Sequence, residues 1–460
     1  MKVTNVSILP TESAKAAGRT ALTPELLAAC GARYSRNNEG LDAILSKIDP
    51  NNLDKSVDGI FKMIDYGHQS IADMVPVSMF IDDLSIFLAY LIWSWCPTAG
   101  GQESSTRYIK LDRTGLVDPS LFGLPENQHK EWYRFMDDCF DAYGSALELW
   151  ERVGTENPEL TCIPNSLLDD SSDKAQKQVA RMKRNYAFDR SRYFLPVAAK
   201  TNMMLIMSSR GWIQLCQNLL SHWLPEAKLL GEKIRGELEL TAPRMVKHAE
   251  RKASFVAGHQ SELDSIVKAA IANDMPLGEA PCRSNIEVYP PMGVSEADLV
   301  EALQDHDNRY ANVGMAGCRT SVRFAWTAVA IAEIRDLNRH RTGQKYCPLI
   351  PQGFYCANDQ LPADTQPDKQ FALLGDYSTN ACRSSLAQGI PGYPAWILLG
   401  SQFRFEHATM LDKFIYEAEL RTGTGAHYRY ASHFRNLVAS LGEQYPKFAA
   451  ALTLGSSEPE

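Results

Sequence analysis

Two polar motifs, each placed directly after an apolar run, carry the chemistry that this sequence offers. The first covers residues 100–108, with the letters GGQESSTRY, and the second is Arg339-His340-Arg341 followed by Thr342-Gly343. Hydroxyl groups, backbone amides left accessible by glycine and one guanidinium would suit a phosphate cradle. The two arginines of the second motif could hold a phosphate or pyrophosphate by forked hydrogen bonds. Both motifs therefore indicate anion binding.

Each motif also has a purely structural interpretation. The arginines of the second motif end an apolar helix, where the helix dipole favours positive charge. Loops rich in Ser, Thr and Gly are mostly only loops, and His68, which precedes a strand, could be an ordinary turn histidine. Arg192 and Arg421 each lie beside a turn and could be exposed salt-bridge partners. No second ligand stands at metal spacing from His340, so no metal site is predicted. The residues alone predict an anion-binding globular protein.

The composition is that of a globular protein with more than one domain. The chain has 460 residues, more than one hydrophobic core usually supports. The formal net charge of -8 argues against a nucleic-acid polymer as partner but leaves room for a small anionic ligand. The 10 cysteines show no CxxC pair and no zinc spacing, which is typical of buried thiols in a reducing compartment. With no signal peptide and no membrane-spanning run in the sequence, we expect a cytoplasmic protein.

Hydrophobic periodicity places regular elements around both motifs. The predicted elements are strands over residues 75–81 and 321–326 and helices over residues 84–95 and 328–337. The apolar run at residues 203–223 is predicted as a helix pair, interrupted at residues 208–211. The charged stretch at residues 225–273 predicts a long connecting helix or helix pair that contains the domain boundary.

The two halves of the chain follow one plan of strand, helix, helix, strand, long helix, polar motif and helix hairpin. This predicts a degenerate tandem duplication, because the period is far too long for a solenoid. The predicted fold class is α+β. Its two tandem domains would cover residues 1–245 and 246–460, each a small mixed sheet with long helices.

Taken in order, the motifs resemble the signature of the flavin-dependent thymidylate synthase family. That signature reads Arg-His-Arg and then Asn-Glu-x-Ser-x-Arg-Tyr, with a Gly-His-x-Ser/Thr segment upstream. The first half keeps GHQS at residues 67–70 and QESSTRY at residues 102–108, but has Trp95-Cys96-Pro97 in place of the arginines. The second half keeps Arg339-His340-Arg341 and has Tyr346-Cys347-Pro348 where Asn-Glu belongs. Each half keeps what the other has lost.

Two further segments resemble the family. The letters SRYFLP at residues 191–196 are similar to its Ala-Arg-x-x-Leu-Pro segment, and ELRT at residues 419–422 is similar to its Leu-Arg segment. One departure concerns Asp336, which stands where the family has a Gln that contacts the nucleotide. The acidic side chain hints at a different pyrimidine.

The resemblance implies a role for individual residues. FAD would be held by Arg339, His340, Arg341, His68, Ser70 and Glu103. The nucleotide would be held by Ser104, Ser105, Arg107, Arg192, Asp336 and Arg421. Arg421, which would favour the anionic form of the pyrimidine, and Ser105 are the expected catalytic residues.

The implied function is that of an FAD-dependent thymidylate synthase-like enzyme built from two tandem thymidylate synthase-complementing-like domains. It would transfer a one-carbon unit from methylenetetrahydrofolate, a reduced folate, to C5 of dUMP, with NADPH as reductant. The family's active sites lie between subunits of a homotetramer, so one composite site between the halves, and a homodimer of the chain, would imitate that assembly.

Three alternatives remain open at this point. The first is a related flavoenzyme that hydroxymethylates C5 of a pyrimidine nucleotide. The second is a non-catalytic nucleotide-binding protein built from two decayed copies. The third is an unrelated, helical anion-binding protein, which would lack related halves.

Overall fold

The computed structural model describes residues 1–35, 40–49, 51–62, 69–272, 276–423 and 425–455. The chain forms two compact units. Unit 1 holds residues 1–104, 115–125 and 198–264, and unit 2 holds residues 105–114, 126–197 and 265–460. Residues 126–197 therefore pack with the C-terminal part of the chain. The predicted boundary at residue 245 separates two copies of a proposed tandem duplication, and it stays a prediction.

The described part of the chain contains short and long helices in both units. They are α1 (Glu12–Ala16), α2 (Pro24–Tyr34), α3 (Leu41–Leu45), α4 (Leu53–Phe61), α5 (Ile86–Trp95), α6 (Glu126–Glu156), α7 (Asn165–Leu168), α8 (Asp173–Ser191), α9 (Ser209–Ser221), α10 (Pro225–Thr241), α11 (Ala253–Ala272), α12 (Glu296–Glu301), α13 (Met315–Arg319), α14 (Ile331–Leu337), α15 (Lys369–Ala387), α16 (Leu411–Thr422), α17 (Tyr428–Gln444) and α18 (Pro446–Ala450). Single 3-10 turns lie at Gln69–Met74, Pro119–Phe122, Pro158–Thr161, Arg192–Phe194, Val246–His248, Asn358–Gln360 and Tyr393–Trp396.

Unit 1 is built on an antiparallel sheet of four strands. They are β1 (Lys2–Asn5), β2 (Pro76–Ser85), β3 (Gly100–Glu103) and β4 (Lys200–Ser208), in the order β1-β2-β4-β3. The first polar motif thus begins as the edge strand β3 rather than as a loop. Gly101 allows this pairing, because a Cβ at that position would lie 2.0 Å from the carbonyl oxygen of Met204 on β4.

Unit 2 is built on a second antiparallel sheet. Its strands are β5 (Ser284–Tyr289), β6 (Ser321–Ala330), β7 (Gln344–Tyr346), β8 (Gly353–Phe354) and β9 (Ser401–Met410). The order is β5-β6-β9-β7, and β8 also pairs with β9. The long second strand of each sheet has a register shift, between Ile81 and Leu84 in β2 and between Trp326 and Val329 in β6. Each of these strands leads directly into a helix, α5 or α14.

The α+β fold class is confirmed, with two corrections. The pairings between the described strands are antiparallel, where the prediction has mixed sheets, since a helix between two strands does not force them to be parallel. The predicted helix pair at residues 203–223 is wrong in its first part, which is the central strand β4 followed by α9. Its apolar run Met203-Met204-Leu205-Ile206-Met207 has no periodicity by which a buried strand could be told from a helix.

None of the helices in the described ranges is both long and apolar enough to cross a bilayer.

Candidate functional site

Helix α14 carries the centre of the candidate site in unit 2. It begins directly after β6, where the Ala330 N–H donates to the Glu333 carboxylate at 3.0 Å. It ends at Leu337, so that the second polar motif follows its last turn. The turn after the motif needs Gly343, whose φ is +64° and whose Cβ would lie 2.1 Å from the Ala408 carbonyl oxygen.

Asp336, on the last turn of α14, is a buried carboxylate among arginines. Both terminal nitrogens of Arg192 donate to its Oδ2 at 3.3 Å, and only 1% of the Arg192 side chain is exposed. Burial alone would raise the pKa of the Asp336 carboxyl, but the surrounding guanidinium groups hold it well below its usual range. These groups belong to Arg107, Arg192, Arg339 and Arg421. The carboxylate is therefore ionised at every physiological pH.

A second carboxylate, Asp189 at the end of α8, pairs with Arg107. The Nε and Nη2 of Arg107 donate to its two oxygens at 2.7 and 2.9 Å, which is the forked geometry of a strong ion pair. Four guanidinium groups thus face two carboxylates, Asp189 and Asp336. The cluster holds a surplus of two positive charges, which is the condition for binding an anion.

Arg107 makes more contacts with the protein than the sequence suggested. Besides the Asp189 pair, its Nη2 donates to the Gly425 carbonyl at 3.1 Å and its Nη1 to the Tyr430 hydroxyl at 3.4 Å. The Ser105 hydroxyl oxygen accepts from the Arg107 backbone N–H at 3.2 Å. Most of the hydrogen-bonding capacity of Arg107 is used inside unit 2, so its direct contact with a phosphate stays a prediction.

Other donors of the cluster face no described protein group. The Nε of Arg192 is buried without a hydrogen-bond partner in the described chain. Nη1 of Arg421 likewise donates to no described residue, whereas its Nε and Nη2 are both engaged. The half-buried guanidinium of Arg339 makes no described hydrogen bond. These are the groups that a ligand would satisfy.

His340 lies with its ring buried between protein groups. Its Nε2 is 2.7 Å from the Nε of Arg421, and its Nδ1 faces Glu417 at 3.9 Å. Burial lowers the pKa of His340 to about 3, although the charge of Glu417 acts in the opposite direction. For a flavin, Arg339 offers guanidinium N–H groups that make no described hydrogen bond and could contact a cofactor phosphate. The Nε2 of His340 is already occupied by Arg421, and its Nδ1 faces the Glu417 carboxylate.

The remaining sequence-predicted residues lie outside this cluster or outside the described ranges. In unit 1, Glu103 is buried and accepts from the Trp93 indole N–H at 3.0 Å, while the Ser104 backbone N–H donates to Asn202 O at 2.9 Å. Ser70, also in unit 1, is exposed. His68 lies outside the described residues. Unit 2 therefore brings together seven predicted residues: Ser105, Arg107, Arg192, Asp336, Arg339, His340 and Arg421.

The sequence did not point to three residues in or beside the cluster: Asp189, Glu417 and Tyr430. Glu417 stands four residues before Arg421 on α16, so the helical spacing could have drawn attention to it. Asp189 stands three residues before Arg192 at the end of a charged helix, which gives only a weak signal. No local pattern marks Tyr430.

Comparison with known proteins finds a family match for the first half of the sequence. Residues 19–244 match the family model described as thymidylate synthase complementing protein, Thy1. The UPF0159 protein Ta1429 of Thermoplasma acidophilum is 26% identical over 234 residues, which is 47% of this chain and 47% of that protein. The match thus spans about half of the relative's own length.

One solved structure shows a weaker likeness. It is a UMP/dUMP methylase, PolB from Streptomyces cacaoi, bound with 5-Br dUMP. The likeness covers 54% of this chain and 93% of PolB, at 15% identity and a TM-score of 0.31, which is too low to argue from. The family match rests on the sequence alone, and by it residues 19–244 of this chain belong to the thymidylate synthase complementing protein family.

Proposed function

We propose that this protein binds a pyrimidine nucleotide of the dUMP type at the arginine cluster around Asp336 and modifies its C5 carbon. The observation that carries the proposal is the surplus of two positive charges in a largely buried cluster, with guanidinium donors left unsatisfied. A phosphate monoester carries about 1.5 to 2 negative charges at neutral pH and is an anion of the kind that such a cluster attracts. The family membership of residues 19–244 supports a nucleotide as the carrier of the phosphate.

The phosphate would lie against the unsatisfied donors of the cluster. Arg192 is already oriented by Asp336 and would lose little conformational entropy on binding. Arg421 presents Nη1, which would favour negative charge on the pyrimidine and so raise the reactivity of C5. The Ser105 hydroxyl proton is not used in a described hydrogen bond and would serve as a further donor.

Two cysteines of unit 2, Cys282 and Cys356, are poorly suited to act as nucleophiles on the pyrimidine. Burial raises the pKa of Cys282 to about 11 and that of Cys356 to about 12. Both side chains are therefore thiols rather than thiolates at neutral pH, and only the thiolate is reactive. The proposed reaction proceeds without a covalent bond to either of these cysteines.

The finer chemistry is proposed from the family resemblance. FAD, with Arg339 and Arg341 holding its diphosphate, would supply the hydride chemistry, NADPH would reduce it, and methylenetetrahydrofolate would donate the carbon. The cluster draws Arg107 and Arg192 from the first half of the sequence and Asp336 and Arg421 from the second, which supports a site composed from both halves. A cytoplasmic homodimer of the chain remains part of the proposal.

The nucleotide part is tested by calorimetric titration of dUMP into the full chain. Arg192→Ala should weaken binding by at least tenfold, because it removes a charge-assisted contact worth roughly 1.5–3 kcal/mol. The matched control is Arg113→Ala, since Arg113 is also in unit 2 but is 51% exposed and pairs with the surface residue Asp141. If both variants bind dUMP as the wild type does, the proposed site is wrong.

The catalytic part is tested by incubating the protein with FAD, NADPH, methylenetetrahydrofolate and either dUMP or dCMP. A methylated or hydroxymethylated C5 product, detected by mass spectrometry, would support the enzyme. Nucleotide binding without product would instead favour the non-catalytic alternative. Arg339→Ala should lower flavin retention while Arg107→Ala should spare it, and equal retention by both variants would contradict the cofactor assignment.

A further inference from the structure

The buried histidine of the second polar motif is hydrogen-bonded to the arginine that the proposed mechanism uses. Arg421 Nε lies 2.7 Å from His340 Nε2. An arginine nitrogen can only donate, so the imidazole must accept at Nε2. The single proton of the neutral ring therefore resides on Nδ1, and the protonation state of His340 is fixed by its contact with Arg421.

The opposite edge of the ring faces a carboxylate that favours the same tautomer. Glu417 is buried, and its Oε1 lies 3.9 Å from His340 Nδ1 and accepts from the Thr342 hydroxyl at 3.3 Å. Burial would raise the pKa of the Glu417 carboxyl, but the neighbouring histidines and Lys345 lower it to about 2. A negative charge beside Nδ1 attracts the N–H and repels a lone pair, so Glu417 favours the proton on Nδ1.

Two contacts fix the plane of the Arg421 guanidinium. Nε is fixed by His340, and Nη2 donates to the Asp336 backbone carbonyl at 3.0 Å. The guanidinium carbon also lies 5.1 Å from the centre of the Tyr430 ring. The edge that carries Nη1 is the part of the group left for a ligand.

We propose that His340 and Glu417 are positioning residues, which orient Arg421 toward the anionic ligand instead of holding the flavin themselves. This inference rests on the proposed nucleotide-binding function and adds to it a chain of three side chains, from carboxylate to imidazole to guanidinium. A free arginine side chain loses rotamer entropy when it binds a ligand. Holding it in place before binding removes that cost and should strengthen nucleotide affinity by about tenfold.

The test compares two substitutions of His340 in protein that has been stripped of flavin. His340→Gln keeps an acceptor, the amide oxygen, for the Arg421 Nε–H, whereas His340→Ala removes it. Calorimetric titration with dUMP should show affinity within about threefold of wild type for His340→Gln and about tenfold weaker for His340→Ala. Thermal unfolding of each variant identifies a general loss of structure, and the glutamine variant remains informative if the alanine variant fails to fold.

A second measurement reads the tautomer directly. Histidine-selective 15N spectra of the wild type, assigned by the signal missing in His340→Gln, should show a protonated Nδ1 and an unprotonated Nε2. In Glu417→Gln the preference for the Nδ1 proton should weaken. Equal dUMP affinities for the glutamine and alanine variants, loss of flavin binding with dUMP affinity unchanged, or a proton on Nε2 would each overturn the inference.

The two proposals fail separately. Wild-type protein that does not bind dUMP would end the nucleotide proposal whatever the tautomer of His340. A wild type that binds dUMP, with His340 protonated at Nε2, would leave the nucleotide proposal in place and end only the positioning role.

Discussion

At the scale of single residues, the candidate site is dominated by buried charge. Asp336 and Arg192 are both nearly inaccessible, and each is the main partner of the other. Taking a carboxylate and a guanidinium out of water is costly, and breaking such a pair by removing one member is costlier still. Such a buried cluster therefore contributes little to the free energy of unfolding, but it provides preorganised charged groups for a ligand.

Asp336→Asn should destabilise the ligand-free protein and make its free energy of unfolding depend more strongly on added anions. The substitution leaves Arg192 buried without its carboxylate, at a cost of about 3–5 kcal/mol in the free energy of unfolding. Urea denaturation with and without phosphate measures both effects. The wild-type contribution of Asp336 should also fall away as the pH drops through its lowered folded-state pKa, because acid protonates the unfolded chain first.

The matched control for this substitution is Asp141→Asn, because Asp141 forms an exposed ion pair with Arg113. Its effect should stay within about 1 kcal/mol. A phosphate-independent loss of equal size in both variants would contradict the anion-binding interpretation of Asp336.

Stability should also fall as the pH rises from weakly acid to neutral. Burial raises the pKa of Glu333 to about 7, although Tyr193 donates to it at 2.8 Å. The unfolded chain releases this proton first, so the free energy of unfolding should drop by up to about 1.4 kcal/mol per pH unit until the folded pKa is passed.

The Glu333→Gln variant, measured by urea denaturation from pH 4 to 8, tests this dependence. The substitution should make the fall of the free energy of unfolding with rising pH less steep. Burial also raises the pKa of Glu226 in unit 1 to about 7, so Glu226→Gln should have a similar effect. A slope unchanged by either substitution would show that these carboxyls titrate normally.

At the scale of elements, α5 and α14 begin in comparable ways but are capped differently. Each helix follows the long second strand of its sheet directly. The Ser85 hydroxyl oxygen accepts the Leu88 N–H of α5 at 2.9 Å and its proton goes to Glu226 at 2.6 Å. In α14 the N-cap residue is Ala330, which has no hydroxyl, so Glu333 supplies the contact to the backbone from within the helix. The helix that carries Asp336 thus begins on a buried acid rather than on a hydroxyl.

Ser85→Ala should cost more than the loss of an ordinary helix cap. It removes the hydroxyl that caps α5 and takes one donor from the buried Glu226, for a combined cost of about 2–3 kcal/mol in the free energy of unfolding. Ser172→Ala is the matched control, since Ser172 caps α8 through the Ala175 N–H at 3.2 Å but is exposed. Its cost should be about 1 kcal/mol. Equal costs in chemical denaturation would show that the Glu226 contact contributes nothing.

At the scale of the whole molecule, unit 2 is assembled from three separate stretches of sequence. The Val197 N–H donates to Ile397 O at 3.0 Å, the Leu399 N–H to Leu195 O at 2.8 Å and the Gly400 N–H to Tyr193 O at 2.7 Å. Phe194 packs on Phe354 and Phe371 beside these bonds. The segment after α8 is therefore an integral part of the core of unit 2.

A fragment of residues 246–460 should not fold by itself, because it lacks these backbone partners and the apolar contacts beside them. We expect no cooperative thermal transition by circular dichroism when it is expressed alone. Co-expression with residues 1–245 should restore a soluble complex. A fragment that unfolds cooperatively without its partner would contradict this description of unit 2.

Much of the fold was accessible from the sequence, because hydrophobic periodicity and turn residues are local signals. The predicted helix at residues 84–95 corresponds to α5, and the predicted strand at residues 321–326 lies within β6. The predicted helix at residues 328–337 starts too early, since β6 continues to Ala330. The central strand β4 was missed because its short apolar run has no distinguishing period.

The sequence by itself determined three things: the α+β class, the family of residues 19–244, and the arginines and hydroxyls that the two polar motifs supply. The tertiary structure alone decided which groups share a site and which of them are already engaged. It brought Arg107 and Arg192 together with Asp336 and Arg421, paired Arg107 with Asp189, and turned His340 toward Arg421 and Glu417. The physical reason is that ion pairing and burial join residues far apart in the chain, whereas a sequence pattern reports only local neighbours.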